Sequence, residues 1–179
     1  MRMSLSSIIR NRSGSSAAEM ALSLPLLLIL LFGSFELGYF LLSEHVVQKS
    51  VRDAARFGAR LAMTNYPSCS VPANGTAETQ IRRVARFGNA AGTGTPRLLG
   101  WTADNMTTVT IACDNSSSAL PCTDATAYNT CGIYSDFPNG APVVTVRAVV
   151  PYNTFFGVLS LGTATLNLNS NSQAAVIGA

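Results

Sequence analysis

Few residues in this 179-residue chain are of types that do chemistry, and their spacing narrows what that chemistry is. Four cysteines, Cys69, Cys113, Cys122 and Cys131, all follow the most apolar part of the sequence. An even number in an exported segment points to disulfides, with three connectivities open. No Cys-x-x-Cys occurs and His45 is the only histidine, so the donor set of a zinc site is missing, and no metal or cofactor is expected. Gly-x-Ser-x-Gly, His-Glu-x-x-His and a phosphate-binding glycine loop are also missing, and a lone histidine makes a Ser/His/Asp arrangement implausible. Asp114-Asn115-Ser116 lacks the acidic spacing and closing Glu of a calcium loop and reads as a turn. The sequence therefore reads as non-enzymatic. Two carboxylates remain, Glu19 and Glu36, which bracket an apolar run. Acids in that setting are functional candidates.

The element that positions them is the run itself. From Met20 to Phe35 there is no charge and ten residues are Leu, Ile or Phe. At about −0.3 to −0.6 kcal/mol each, that favours bilayer insertion by roughly 3 to 6 kcal/mol. Crossing a hydrocarbon core takes about 20 residues, so the transmembrane segment is expected to cover residues 20–42, with Glu36 in its outer third. Tyr39 and Phe40 then lie near the far headgroups. The short flank before it carries Arg2, Arg10 and Arg12 and no acid. This keeps the N-terminus cytoplasmic and exports everything after Leu42, giving a single-pass protein of the bacterial inner membrane. A cleaved secretory signal peptide is the competing reading. It needs a small-x-small site just past the apolar run, where Gly33-Ser34-Phe35-Glu36 is a poor one, and the helical pattern continues into Ser43 to Met63.

Gly14-Ser15, with Glu19 at the fifth position counted from Ser15, resembles the processing site of type IV pilin precursors. That likeness implies that residues 1–14 are a basic leader, that a prepilin peptidase cuts between Gly14 and Ser15, and that the apolar helix is retained. Glu19 of one subunit would then pair with the new amine of Ser15 on a neighbour and set the register of the two helices. The plainer role for Glu19 is to snorkel to the cytoplasmic interface. Together with Leu24-Pro25, Phe35-Glu36-Leu37-Gly38 and Ala54-Ala55-Arg56-Phe57-Gly58-Ala59-Arg60, the segment resembles the TadE-like family of tight-adherence (Tad) pilus assembly proteins. The likeness covers roughly Gly14 to Met63. Met20 stands where the small major pilins of these systems have Tyr, which argues for a minor pilin or pseudopilin. The resemblance implies a structural role in pilus assembly and surface adherence. The partners it implies are a prepilin peptidase, other pilin-like subunits and the membrane assembly platform, with possible incorporation into an extracellular pilus and Glu36 as a second contact. A rival from another class is a membrane-anchored exported binding module, unprocessed at Gly14, whose helix is only a tether. A third is an exported enzyme with unrecognised residues.

The remaining sequence is read as one small α+β domain, residues 64–179, following a long helix over residues 15–63. The formal charge of +3 resides in the leader, because removing its three arginines leaves nine basic against nine acidic side chains. Nucleic acid is accordingly not an expected partner. Pro25 is expected to bend the helix, and Ser34 and Gly38 form a small-xxx-small pair open to another helix. Val47, Val51, Ala54, Ala55, Gly58, Ala59 and Ala62 make an apolar stripe expected to pack on the protein's own domain, with Arg52, Arg56 and Arg60 on a solvated face. Thr76 is expected to cap a second helix, Ala77 to Phe87, ended by Gly88, with Arg82, Arg83 and Arg86 outward. Period-two alternation at Val109, Ile111 and Cys113, at Val144, Val146, Ala148 and Val150, and at Ala164, Leu166 and Leu168 predicts an antiparallel sheet with helices on one face. Alternation resumes weakly at Ala174 and Val176, so the last strand is expected to continue toward the C-terminus. Tyr152 to Leu161 is expected to be a short helix or apolar loop. The segment 114–141, without periodicity and divided by Cys113, Cys122 and Cys131, is expected to be a disulfide-pinned loop that meets partners.

Overall fold

The computed structural model describes residues 13–70, 75–114, 134, 140–154 and 166–178. The leader up to Arg12, Cys122 and Cys131, most of the 114–141 loop, Ala164 and the stretch from residue 155 to 165 lie outside them. The chain divides into two units, residues 1–40 and 41–179. Helix α1, Ser13–Ala59, runs through the boundary without a break and contains Pro25. The architecture is α+β: a long N-terminal apolar helix followed by a small domain built on a three-stranded antiparallel sheet.

In the second unit the sheet order is β1 (Thr107–Asp114), β2 (Ala141–Pro151), β3 (Asn167–Ala175). The β1–β2 register sets Val109 against Val146, and the β2–β3 register sets Val150 against Leu168. Val144, Val146, Ala148 and Val150 are fully buried, while Arg147, Val149 and Pro151 face out, which is the expected alternation. The β3 strand begins at Asn167, and only Leu168 within it is tightly buried. Leu166, expected inside, is half exposed and precedes the strand. Most of β3 is Asn, Ser and Gln, a composition that carries little strand signal. Its membership comes from pairing with β2.

The apolar stripe of α1 packs inside this unit. Val47, Val51, Ala54, Ala55, Gly58 and Ala59 are buried, and Arg52, Arg56 and Arg60 are exposed. Gly58 lies where α1, the second helix and the sheet meet. A Cβ there would stand 2.9 Å from Ile81 Cδ1 and 3.1 Å from Val144 Cγ1, so the glycine sets how closely the three elements approach. The helix ends at Ala59, earlier than the expected Met63, and donors from beyond the helix reach its last carbonyls. Arg60 N–H donates to Phe57 O at 3.1 Å, and Tyr66 Oη–H donates to Gly58 O at 2.5 Å. Ile177 N–H donates to Ala59 O at 2.8 Å. The C-terminal segment thus caps α1. Gly178 sits so close to the Leu61 carbonyl that a side chain there would overlap it.

Helix α2, Thr76–Phe87, starts one residue earlier than expected, with Gly75 in the N-cap position and no side-chain cap. Gly88 ends it in the left-handed region, φ +82°, its N–H donating to Val84 O. Ala77, Ile81, Val84 and Ala85 are buried. Arg82 and Arg86, expected outward, are both engaged. Arg82 pairs with the buried Glu78 one turn earlier at 2.5 Å. Arg86 donates to Trp101 O at 2.8 Å, to Asp104 Oδ1 at 3.0 Å and to Thr102 O, tying α2 to the approach to β1. Arg97 likewise bridges to α1 through Ser50 Oγ and Asp53 Oδ2, at 3.1 and 3.0 Å. Cys69 and Cys113 form a disulfide across 44 residues of sequence, with their Cα atoms 5.4 Å apart. It fastens the segment after α1 to the end of β1.

Two outcomes follow for the full chain in detergent. Replacing Cys69 and Cys113 together by Ser should lower unfolding stability by about 3–4 kcal/mol, the loop-entropy expectation for a closure of this length, read as a fall in the denaturation midpoint. Burial pushes the Tyr66 hydroxyl up from its ordinary 10.0 to about 12. Between those values the unfolded chain releases a proton that the folded chain keeps, so the stability this group contributes is whole below pH 10 and lost as pH rises through about 12. Tyr66→Phe should cost about 1 kcal/mol at neutral pH. Its deficit relative to the parent should shrink across that alkaline window, and a deficit constant with pH would contradict the assignment.

Candidate functional site

The segment with the least ordinary chemistry is the first part of α1. In a water-soluble protein a helix buries a stripe and exposes polar residues opposite it. Here the apolar side chains are exposed on every side: Leu22 at 81%, Ile29 at 68% and Phe35 at 60%. The helix is long and apolar enough to cross a membrane, and none of its most apolar window is buried within the protein. This is compatible with single-pass membrane anchoring. Two serine hydroxyls on it are satisfied by the helix's own carbonyls, as a hydrocarbon environment requires. Ser34 Oγ lies 2.9 Å from Leu30 O and 2.8 Å from Leu31 O, and Ser23 Oγ lies 3.3 Å from Met20 O.

The candidate residues from the sequence fall at the two ends of this segment. Gly14 and Ser15, which flank the bond expected to be cut, are among the first described residues of α1. Glu19 follows on the exposed surface one turn later, and Glu36 is partly covered near the other end. Gly38 has open space where a Cβ would stand, so with Ser34 one turn before it the surface of α1 is low enough for a second helix to approach closely. Glu19 and Glu36 are separated by nearly five turns and do not form one site. Among the described residues no group of His, Cys, Asp or Glu is arranged to hold a metal ion.

Residues 14–56 match the family model described as TadE-like protein. The matched part is about a quarter of the chain. It holds Glu19, Glu36 and the whole apolar run, and ends within the buried stripe of α1, before the sheet begins. No curated protein and no solved structure matches the chain. The TadE-like match points to a pilus-associated protein of structural rather than enzymatic type. Outside the matched segment, the sequence reading missed the roles of Arg86 and Arg97. Arg97 stands in an aperiodic stretch, and its only local sign is that two positive-φ glycines, Gly92 and Gly94, precede it.

The membrane reading is testable directly. Leu28→Arg sets a charge at the centre of the run, where it should cost about 3–4 kcal/mol relative to Leu. The variant should shift measurably from the membrane pellet to the alkali-extractable fraction, whereas Leu28→Ile should not move.

Proposed function

We propose that the chain is a pilin-like minor subunit, a pseudopilin, of a Tad-type pilus, acting in pilus assembly and surface adherence. In this reading residues 1–14 are a leader removed by a prepilin peptidase, and the mature protein begins at Ser15. Residues 20–42 hold it in the inner membrane with its N-terminus cytoplasmic, and residues 64–179 form the exported domain. The observation that carries the reading is the exposed, all-round apolar first half of α1, which is preceded by Glu19 and lies within the TadE-like match.

The physical argument concerns what such a helix does outside its own domain. In a bilayer its apolar surface is satisfied by lipid. In a filament the same surface would be covered by the helices of neighbours, so transfer between the two states exchanges one apolar environment for another at little net cost. Specificity must then come from the few polar groups and from close fit. A carboxylate at Glu19 paired with a freed α-amine at Ser15 of a neighbour supplies a charge-assisted contact at a fixed height along the helix. Ser34 and Gly38 supply the close fit, with Glu36 as a second polar contact. The other pilin-like subunits and the membrane assembly platform are the partners this requires.

The deciding experiment is N-terminal sequencing of the protein purified from membranes of a host with an active prepilin peptidase. A start at Ser15 is expected, and Gly14→Val should leave the start at Met1. Glu19→Ala should still be processed, yet should co-purify with other pilin-like subunits at a level reduced by about tenfold, equivalent to some 1.4 kcal/mol. A parent protein that begins at Met1 would refute the pilin-like reading.

A further inference from the structure

The exported unit carries a groove that the pilin-like reading does not use. It has a volume of about 570 Å³ and is lined by Gln48 and Arg52 of α1, by Arg147 of β2 and by the four consecutive residues Asn169–Ser172 of β3. Consecutive residues of a strand point to opposite faces of its sheet. Here Leu168, Ser170 and Ser172 are on the covered side and Asn169 and Asn171 on the exposed side, yet all four residues from Asn169 line one cavity. Only a cavity running along the open edge of a strand meets both faces. β3 is that edge, since it pairs only with β2 among the described residues. None of the described backbone hydrogen bonds outside the sheet involves residues 169–172.

Edge strands are usually blunted by charge, Pro, a bulge or a covering element. From Asn167 to Ala175 this one has no charge and no Pro. The charges sit beside it instead and have one sign. Arg52 is exposed and makes no ion pair among the described residues, and Arg147 donates only to Asn169 Oδ1, at 3.3 Å. The lining holds no carboxylate and no aromatic ring. An aromatic platform would have favoured a sugar, whereas an open backbone edge favours another backbone.

We infer that the groove receives an extended acidic segment of another polypeptide, added to the sheet as a fourth strand beside β3. The flanking charges define its pattern. Arg52 reaches the groove from the covered side and Arg147 from the exposed side, so a strand whose side chains alternate meets both with two adjacent acids rather than with acids two apart. This inference does not depend on processing at Gly14.

The test uses the full chain in detergent micelles and the hexapeptide acetyl-Val-Thr-Asp-Asp-Thr-Val-amide, followed by backbone amide shifts. Saturable shifts are expected at Asn169 to Ser172. Affinity should drop by about 3- to 10-fold when the peptide carries Asn-Asn in place of Asp-Asp, and by a similar factor in Arg52→Gln or Arg147→Gln, the range for partly exposed charge-assisted contacts. Arg56→Gln, on the same helix but outside the groove, should bind like the parent. No saturable shift at millimolar peptide would overturn the inference. So would equal binding of the Asn-Asn peptide. Saturation by an oligogalacturonate with none by the peptide would assign the groove to an acidic glycan and overturn a polypeptide occupant.

Discussion

The small domain depends on how the last turn of α1 is closed. A helix that ends inside a protein leaves carbonyls without partners, and a buried carbonyl left so costs on the order of 1–3 kcal/mol. Phe57, Gly58 and Ala59 offer three, and residues as distant as Tyr66 and Ile177 supply donors to two of them. At the same turn Gly58 has no side chain, and Ile81 and Val144 come into the space one would fill. Helix α2, strand β2 and the C-terminal segment are thereby all referred to one point on α1. The Cys69–Cys113 disulfide and the Arg97 bridge to Ser50 and Asp53 fasten the same assembly from other sides.

That arrangement explains why α1 changes character partway along without changing secondary structure. Up to Phe40 its apolar residues are exposed on all sides. From Ser43 onward the helix has a small-residue stripe in a protein core and arginines facing out. Backbone hydrogen bonding within a helix is indifferent to what surrounds it, so one element can satisfy two different solvents if its side chains change at the crossing. The second half is fixed by packing. None of the most apolar window of the first half is buried within the protein, and a surface that apolar calls for lipid or other helices to cover it.

Legibility in the sequence followed how local each determinant is. The buried face of α1 was readable because Val47, Val51, Ala54 and Ala55 repeat at helical spacing, and β2 because Val144 to Val150 alternate strictly. The end of α2 was readable from Gly88, whose left-handed backbone is a local property. The end of α1 was not, because what stops it at Ala59 arrives from the other end of the chain. The start of β3 was expected early, since Leu166 precedes the strand, whereas its continuation toward the C-terminus, signalled only weakly at Ala174 and Val176, is where most of the strand lies, polar and held by β2. Arg82 and Arg86 were assigned to solvent by the rule that charges face out, which ignores the carboxylate of Glu78 and the carbonyls of Trp101 and Thr102 within their reach. Gly14, Glu19 and Glu36 stand out in the sequence because they interrupt or flank an otherwise uncharged run, and the roles given them rest on the resemblance and not on a contact in the fold. The groove beside β3 had no sequence signal at all, since it joins residues of α1, β2 and β3 that only the fold brings together.

The same tetrapeptide shows how far local reading reaches. Ala-Arg-Phe-Gly occurs at Ala55–Gly58 and again at Ala85–Gly88, each time near the end of a helix. At the second site the glycine is needed for its backbone: φ is +82°, a conformation that costs an L-residue roughly 1 kcal/mol or more. At the first the backbone is still helical, and the glycine is needed for its missing Cβ. The arginines diverge in the same way, Arg56 exposed on α1 and Arg86 spanning to Trp101, Thr102 and Asp104. Four identical residues thus do different work because one copy faces a strand and a helix while the other faces a turn. What a motif does in this protein is decided by its neighbours in space.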